Sequence, residues 1–429
     1  MFLKLVPFAL FYLPFASCQN TSSDYVVDLG YTKYRGALND SFPNIINYYN
    51  IRYAAPPLGS LRWQAPMDIE SHTSLSNTSS IQDATIRGPT CVQGVPYWRQ
   101  TISPSGSEDC LLLDVLVPKT PASAYLPVLV QIHGGGYLQG NSQSSPGYML
   151  VNQSQGNLIY VSIQYRLSAF GFLSSSAIRE NGVANAGLLD QRAALGWVQR
   201  HIRSFGGDPA KVTIIGGSAG GSSVMNQMIM YGGVSNPPFR AAIAEYPWWQ
   251  SYKNGTVLEA QYQQMLNATG CDGLECLRGQ STQSLIDASQ SAFNAGWEGR
   301  WYGWGDFYFG PSVDGEAIRD LPSNEFKKGN FVKVPLVVNR DVRCAFLSSK
   351  MPGSVTGLTL ATAQAYEGYN YSPPDNTTEE MTADLQTIFP YAKQSFFRRL
   401  YELYPAGDFN STFFRRAEIY GDYIINCRE

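Results

Sequence analysis

The sequence predicts an α/β fold in which a mostly parallel central sheet carries helices on both faces. Two observations lead there. Strand-like apolar runs alternate with stretches of helical periodicity along the chain, and that order builds parallel sheets through crossover connections. The strand-like runs are also continuously apolar or β-branched instead of alternating, as strands covered on both faces require. Size and punctuation add a third point. The 429 residues are 44% hydrophobic, ample for a large core, and no linker, internal repeat or low-complexity tract divides them, so one large domain is the economical expectation.

The elements follow in order. "PVLVQI" (127–132) and "LIYVSIQY" (158–165) read as buried strands. "NAGLLDQRAALGWVQRHIRSFGG" (185–207) reads as a helix. Its Leu188, Leu195, Val198 and Ile202 recur at helical spacing, and Gly206 and Gly207 stop it. "KVTIIGG" (211–217) is a further strand, followed by a helix over "GGSSVMNQMIMYGG" (220–233). "AAIAEY" (241–246) and "KVPLVV" (333–338) supply two more strands.

The N-terminus has the layout of a secretory signal peptide over residues 1–18. Lys4 precedes an apolar stretch (5–15), then come Ala16, Ser17 and Cys18. No later stretch is long and apolar enough to span a bilayer. Nine N-x-S/T sequons, at Asn20, Asn39, Asn77, Asn152, Asn254, Asn267, Asn370, Asn376 and Asn410, fit a secreted glycoprotein. Charged residues are 15% of the chain, the formal net charge is -3, and no Lys/Arg cluster is present, which argues against a nucleic-acid partner. No cofactor and no metal are expected, and oligomeric state is not legible.

Without Cys18, six cysteines remain for an oxidising compartment: Cys91, Cys110, Cys271, Cys276, Cys344 and Cys427. Sequence does not fix their connectivity. Local pairs cost the least entropy to close, which favours Cys91 with Cys110 and Cys271 with Cys276. The first closes a loop of about twenty residues, worth roughly 3 kcal/mol in the chain-entropy model. Cys344 and Cys427 are left over.

Two motifs carry chemistry. Gly216-Gly217-Ser218-Ala219-Gly220 fits G-x-S-x-G between a predicted strand and helix, the context in which a serine nucleophile occupies a strained turn. "IHGGGYLQG" places His133 and three glycines after another strand. Glycines let backbone N–H groups approach a carbonyl oxygen that becomes an oxyanion during acyl transfer. Gly135, Gly136 and the amide of Ala219 would make a three-donor oxyanion hole. His133 is then structural, His201 lies on the helix before the serine, and His72 lies in a polar loop. None suits the base that Ser218 needs.

With these motifs in place, the chain resembles the type-B carboxylesterase/lipase family, which includes cholinesterases, secreted esterases and large fungal lipases. The resemblance runs through "NIRYAAPPLGSLRWQAP" (50–66), "SEDCLLLDV" (107–115), "VSIQYRLSAFGFL" (161–173) and "FGGDPAKVTIIGGSAGG" (205–221). It implies the α/β-hydrolase fold and a secreted carboxylic-ester hydrolase acting through an acyl-enzyme on Ser218. The family's triad runs serine, glutamate, histidine. Gly217 departs from the pattern, since family members often carry Glu before the serine.

The resemblance assigns the acid to Glu367, in "AYEGYNY" (365–371), once residues 342–364 are set aside as an atypical insertion that interrupts the family spacing after Asp341. Codons permitted by Val342-Arg343, Leu358-Thr359 and Gln364 include splice signals, so a retained intron and a genuine surface insertion both fit. The family's histidine follows an "IYGDYIINC"-like stretch and has no counterpart here after His201, so residues 19–429 read as the family domain incomplete at its C-terminus, and the resemblance pairs Cys427 with a later cysteine. Inactivity of the chain as written is therefore expected, with a non-catalytic binding or adhesion relative as the alternative. Trp248, Trp249, Trp297, Trp301, Tyr302 and Trp304 are candidate walls of an acyl or alcohol pocket, or core. The expected partner is a small-molecule or lipid ester whose identity is not legible.

Overall fold

The computed structural model describes residues 25–71, 77–99, 103–303, 305–339, 377–389 and 391–409, together with 411, 412, 415, 416 and 419. The strands in chain order are β1 (Val26–Asp28), β2 (Thr32–Arg35), β3 (Ala37–Leu38), β4 (Ile45–Arg52), β5 (Asn77–Asp83), β6 (Leu112–Pro118), β7 (Leu126–Ile132), β8 (Ile159–Ile163), β9 (Gly207–Gly217), β10 (Ala241–Glu245) and β11 (Leu336–Asn339). β1, β2 and β5 form a small sheet. The other eight form the central sheet in the order β11-β10-β9-β7-β8-β6-β4-β3.

From β11 to β8 every neighbouring pair is parallel. From β8 through β6 and β4 to β3 the pairs are antiparallel. The expected parallel sheet thus forms the half that holds the motifs, and an antiparallel half extends it. The burial explains the composition of its strands. All five residues of β8 are buried, which requires cover on both faces. β11 is the exception among the predicted strands: Leu336, Val337 and Val338 are all exposed at the sheet's edge.

The helices Ala186–His201 and Ala219–Ile229 flank β9 in sequence. Leu188, Leu195 and Val198, expected at helical spacing, are fully buried, and Trp197 between them donates its indole N–H to Tyr31 Oη at 3.0 Å. Among the described residues no helix is long and apolar enough to cross a membrane.

Two buried ion pairs lock loops onto this core. Arg166 meets Asp190 through Nε and Nη2, each at 2.7 Å, and its backbone N–H also donates to Asp190 at 3.0 Å. Arg62 meets Glu108 at 2.8 and 2.6 Å and donates to the carbonyls of Arg278 and Gln280. Glu108 accepts a further bond from Thr282 Oγ1 at 2.7 Å. Disulfides join Cys91 to Cys110 and Cys271 to Cys276, the pairs that closure entropy favours. Cys344 and Cys427 lie outside the described residues.

Removing one member of a buried pair strands the other charge. Asp190→Ala is expected to destabilise the fold by about 3–5 kcal/mol in denaturant unfolding, because the Arg166 guanidinium stays buried without its partner. A loss below about 1 kcal/mol, the value of an exposed pair, would contradict that assignment.

Candidate active site

Ser218 stands at the turn from β9 into the helix Ala219–Ile229, with φ 58° and ψ −126°. A non-glycine residue is strained there, and such strain persists only where the surroundings over-determine it. They do so here. The Ser218 N–H donates to Glu245 O at 3.1 Å, and Ser218 O accepts from Ser222 N–H and Trp248 N–H, both at 3.0 Å. A Cβ on Gly220 would lie 2.2 Å from Ile132 O, so the helix can start this close to β7 only without one. The serine sits at the C-terminal ends of the parallel strands, where open α/β sheets carry their ligand crevices.

The second glycine-rich motif packs directly on this turn. A Cβ on Gly134 would meet Gly217 O at 2.5 Å and Ser218 Cβ at 3.3 Å. Gly135 and Gly136 follow at φ 107° and 66°. Gly135 O accepts from Leu138 and Gln139 N–H at 3.2 and 2.9 Å. Among the described residues the Gly135 and Gly136 amides donate to no acceptor. Ala219 opens its helix, so its N–H belongs to the unpaired donors of a helix N-terminus.

His133 is almost completely buried, its ring stacked on Tyr165 at 4.3 Å between centroids. Its Nδ1–H donates to Gly134 O at 2.8 Å, and Tyr165 Oη donates to His133 O at 2.7 Å. Burial pulls its pKa down from 6.5 to about 4, against the opposing effect of the Gly134 bond. A neutral ring tied to its own loop holds the loop's shape. His201 closes the helix that precedes β9, at the end of that strand opposite Ser218, and its Nε2 bonds the Glu70 carboxylate. Neither is placed to take a proton from Ser218. His72, Glu367 and the segment 342–364 lie outside the described residues.

A chain of aromatic rings starts beside the glycine loop. Trp248 is buried, its ring 5.3 Å from Phe307, and the Phe307 ring fills the place of a Gly136 side chain. Phe307 continues to Trp98 at 5.9 Å, and Trp98 to Trp297 at 5.3 Å and Tyr302 at 5.8 Å. Beyond them an open cleft of about 510 Å³ is lined by Tyr97, Trp297, Tyr302, Glu298 and Asp384 among others. Of the expected aromatic candidates, Trp248, Trp297 and Tyr302 join this chain of rings. Trp301 packs on Tyr308 at 6.4 Å, Trp249 is half-buried, and Trp304 lies outside the described residues. Phe307 and Trp98 were not among the candidates, because only the tertiary fold brings them beside the glycine motif. Tyr246 was also missed: its hydroxyl would lie 2.5 Å from a Cβ at Gly217, so its ring takes the space that a side chain before the serine would use.

A strained serine at a strand-to-helix turn, packed against a glycine loop at the head of a parallel sheet, defines an α/β-hydrolase. Known proteins agree. A family model described as "Carboxylesterase family" matches residues 23–424. Carboxylesterase patB of Penicillium expansum is 31% identical over 407 residues, covering 83% of this chain and 67% of that protein. The secreted triacylglycerol lipase LIP1 of Gibberella zeae is 30% identical over 431 residues, covering 91% of this chain and 69% of that protein. The crystal structure of Aspergillus niger EstA superposes with a TM-score of 0.74 at 30% identity, covering 93% of this chain and 72% of that one. The chain belongs to the carboxylesterase family. It spans between 54% and 69% of the length of eight curated relatives it matches.

The buried His133 gives a pH test. Folded His133 stays neutral down to about pH 4, whereas an unfolded imidazole protonates near 6.5. Its contribution to stability is therefore complete above the unfolded pKa and is lost as pH falls from 6.5 towards 4. About 3 kcal/mol is at stake at roughly 1.4 kcal/mol per pH unit. Thermal melts between pH 7 and 4 should show this loss, and His133→Gln should flatten it. An equally steep loss in the variant would mean that other groups cause it.

Proposed function

We propose that this protein is a secreted serine carboxylic-ester hydrolase with Ser218 as its nucleophile. The observation that carries the proposal is the strained Ser218 turn packed against Gly134, with two amides of the adjoining loop and the Ala219 amide lacking acceptors. In this reading Ser218 Oγ attacks the ester carbonyl carbon as a base removes its proton. The carbonyl oxygen becomes an oxyanion facing Gly135, Gly136 and Ala219 N–H, donors already held in place. The C–O bond to the alcohol breaks, the base returns the proton to that leaving oxygen, and water then hydrolyses the acyl-enzyme. Glu367 is the acid that orients the base, on its sequence motif alone.

The base is a histidine beyond Glu429. Both described histidines are committed elsewhere, the motif order of the resemblance puts the histidine after Glu367, and the chain covers 67% of the length of patB of Penicillium expansum. Secretion is supported by the signal-like residues 1–18, the two disulfides, the exposed sequon asparagines Asn152, Asn254 and Asn267, and relatives named as secreted lipases.

With the base in place, the protein should hydrolyse a short nitrophenyl ester, and Ser218→Ala should lower kcat by about 10⁴-fold or more. The 429-residue chain alone should show negligible turnover. Robust Ser218-dependent turnover by that chain would put the base within it.

In this reading Phe307, whose ring takes the space beside Gly136, and Trp248 packed on it border the acyl group. Phe307→Ala should therefore raise kcat/KM for a hexanoate ester relative to acetate by about 10-fold or more, the scale of one or two methylenes in an apolar pocket. An unchanged acyl-length profile would exclude Phe307 from that role.

A further inference from the structure

The geometry points to Gln93 as the positioning residue of the oxyanion loop, an inference that rests on the ester-hydrolase reading. Gln93 lies two residues after Cys91, in the loop closed by the Cys91–Cys110 disulfide. Its side-chain amide pairs with both backbone polar groups of one residue of the glycine loop. Gly140 N–H donates to Gln93 Oε1 at 2.7 Å, and Gln93 Nε2 donates to Gly140 O at 3.1 Å. The second Nε2 hydrogen goes to Cys91 O at 2.7 Å. Every partner is a backbone group of fixed polarity, so the amide has one orientation, and both Nε2 hydrogens are used.

What Gln93 grips is the closing residue of the loop. Gly140 has φ 111°, and a Cβ there would lie 2.3 Å from His133 Nδ1 and 2.6 Å from Gly134 O. Gly140 is thus pressed on the His133–Gly134 hydrogen bond, and Gly134 is pressed on the Ser218 turn. Two neighbouring bonds reinforce the grip. Gly94 N–H donates to Leu138 O at 2.7 Å, and Gln139 Nε2 donates to Gly94 O at 3.3 Å. The disulfide-closed loop therefore holds residues 138–140, and through them the orientation of the Gly135 and Gly136 amides. Gln93 touches no substrate in this arrangement. It sets where the donors point, so its loss should weaken binding of the oxyanion and leave binding of the ground-state ester alone.

The test uses the protein with its base in place and three variants: Gln93→Met, of similar length without hydrogen bonds, Gln93→Glu, and Ser218→Ala. Gln93→Met should lower kcat for a nitrophenyl ester by about 10- to 100-fold while KM stays within about twofold, as expected for misaligned oxyanion donors. Inhibition by a trifluoromethyl ketone, whose adduct carries an oxyanion, should weaken by a similar factor. Amide hydrogen exchange in the 134–140 segment should accelerate by about tenfold from the lost bonds. Gln93→Glu keeps the acceptor for Gly140 N–H and regains one donor only when protonated. Its kcat relative to the parent should therefore recover as pH falls towards 5, which a merely structural role would not produce. A parent with Ser218-dependent turnover and a Gln93→Met variant of equal kcat would overturn the clamp alone. A parent whose turnover survives Ser218→Ala, or is absent, would overturn the ester-hydrolase reading and the clamp's catalytic role with it. Unchanged exchange at 134–140 in Gln93→Met would overturn the clamp in either case.

Discussion

The site depends on how closely three backbone segments approach one another. The end of β9, the start of the helix Ala219–Ile229 and the loop after β7 meet at distances that leave no room for side chains. Gly220 lies against Ile132 O, and Gly134 against Gly217 O. Interiors are packed near crystal density, so added Cβ atoms would force the segments apart. Separation would relax Ser218 from its positive φ and, in the proposed mechanism, move the loop amides from the oxyanion they are to bind. Strain at the serine and preorganisation of the donors are thus two results of one packing constraint.

That constraint is supported from several sides. His133 gives up its value as a base by burial and serves as an internal brace, neutral and bonded to Gly134. Tyr246 fills the space beside Gly217, where a larger residue would meet its ring. Arg166–Asp190 and Arg62–Glu108 anchor the loops behind the site and supply no chemistry. The disulfide Cys91–Cys110 keeps Gln93 beside Gly140, so a staple distant in sequence from Ser218 bears on the serine's surroundings.

Much of this was legible in the sequence. β7, β8, β9 and β10 and their helices fall where apolar runs and helical spacing put them, because burial on both faces leaves an unambiguous composition. Both disulfides follow from closure entropy. β11 is a strand as expected, at the edge of the sheet. The antiparallel side, where β4 pairs with β6, was not visible, because pairing direction leaves no mark in a short run. Phe307, Trp98, Tyr246 and Gln93 escaped for a related reason: each matters through a contact made across the fold, and its own neighbours in sequence carry no chemical pattern. Glu367 stands on its motif, outside the described residues.

The most direct measurement is a crystal structure of the protein with its base in place after reaction with an alkyl phosphonate ester, which mimics the tetrahedral intermediate. The phosphorus should be bonded to Ser218 Oγ, with its charged oxygen about 2.7–3.1 Å from the N–H groups of Gly135, Gly136 and Ala219, the range of a working oxyanion hole. Phosphonylation of another residue, or a phosphonyl oxygen turned away from those three amides, would contradict the assignment of Ser218 and its loop as the catalytic centre.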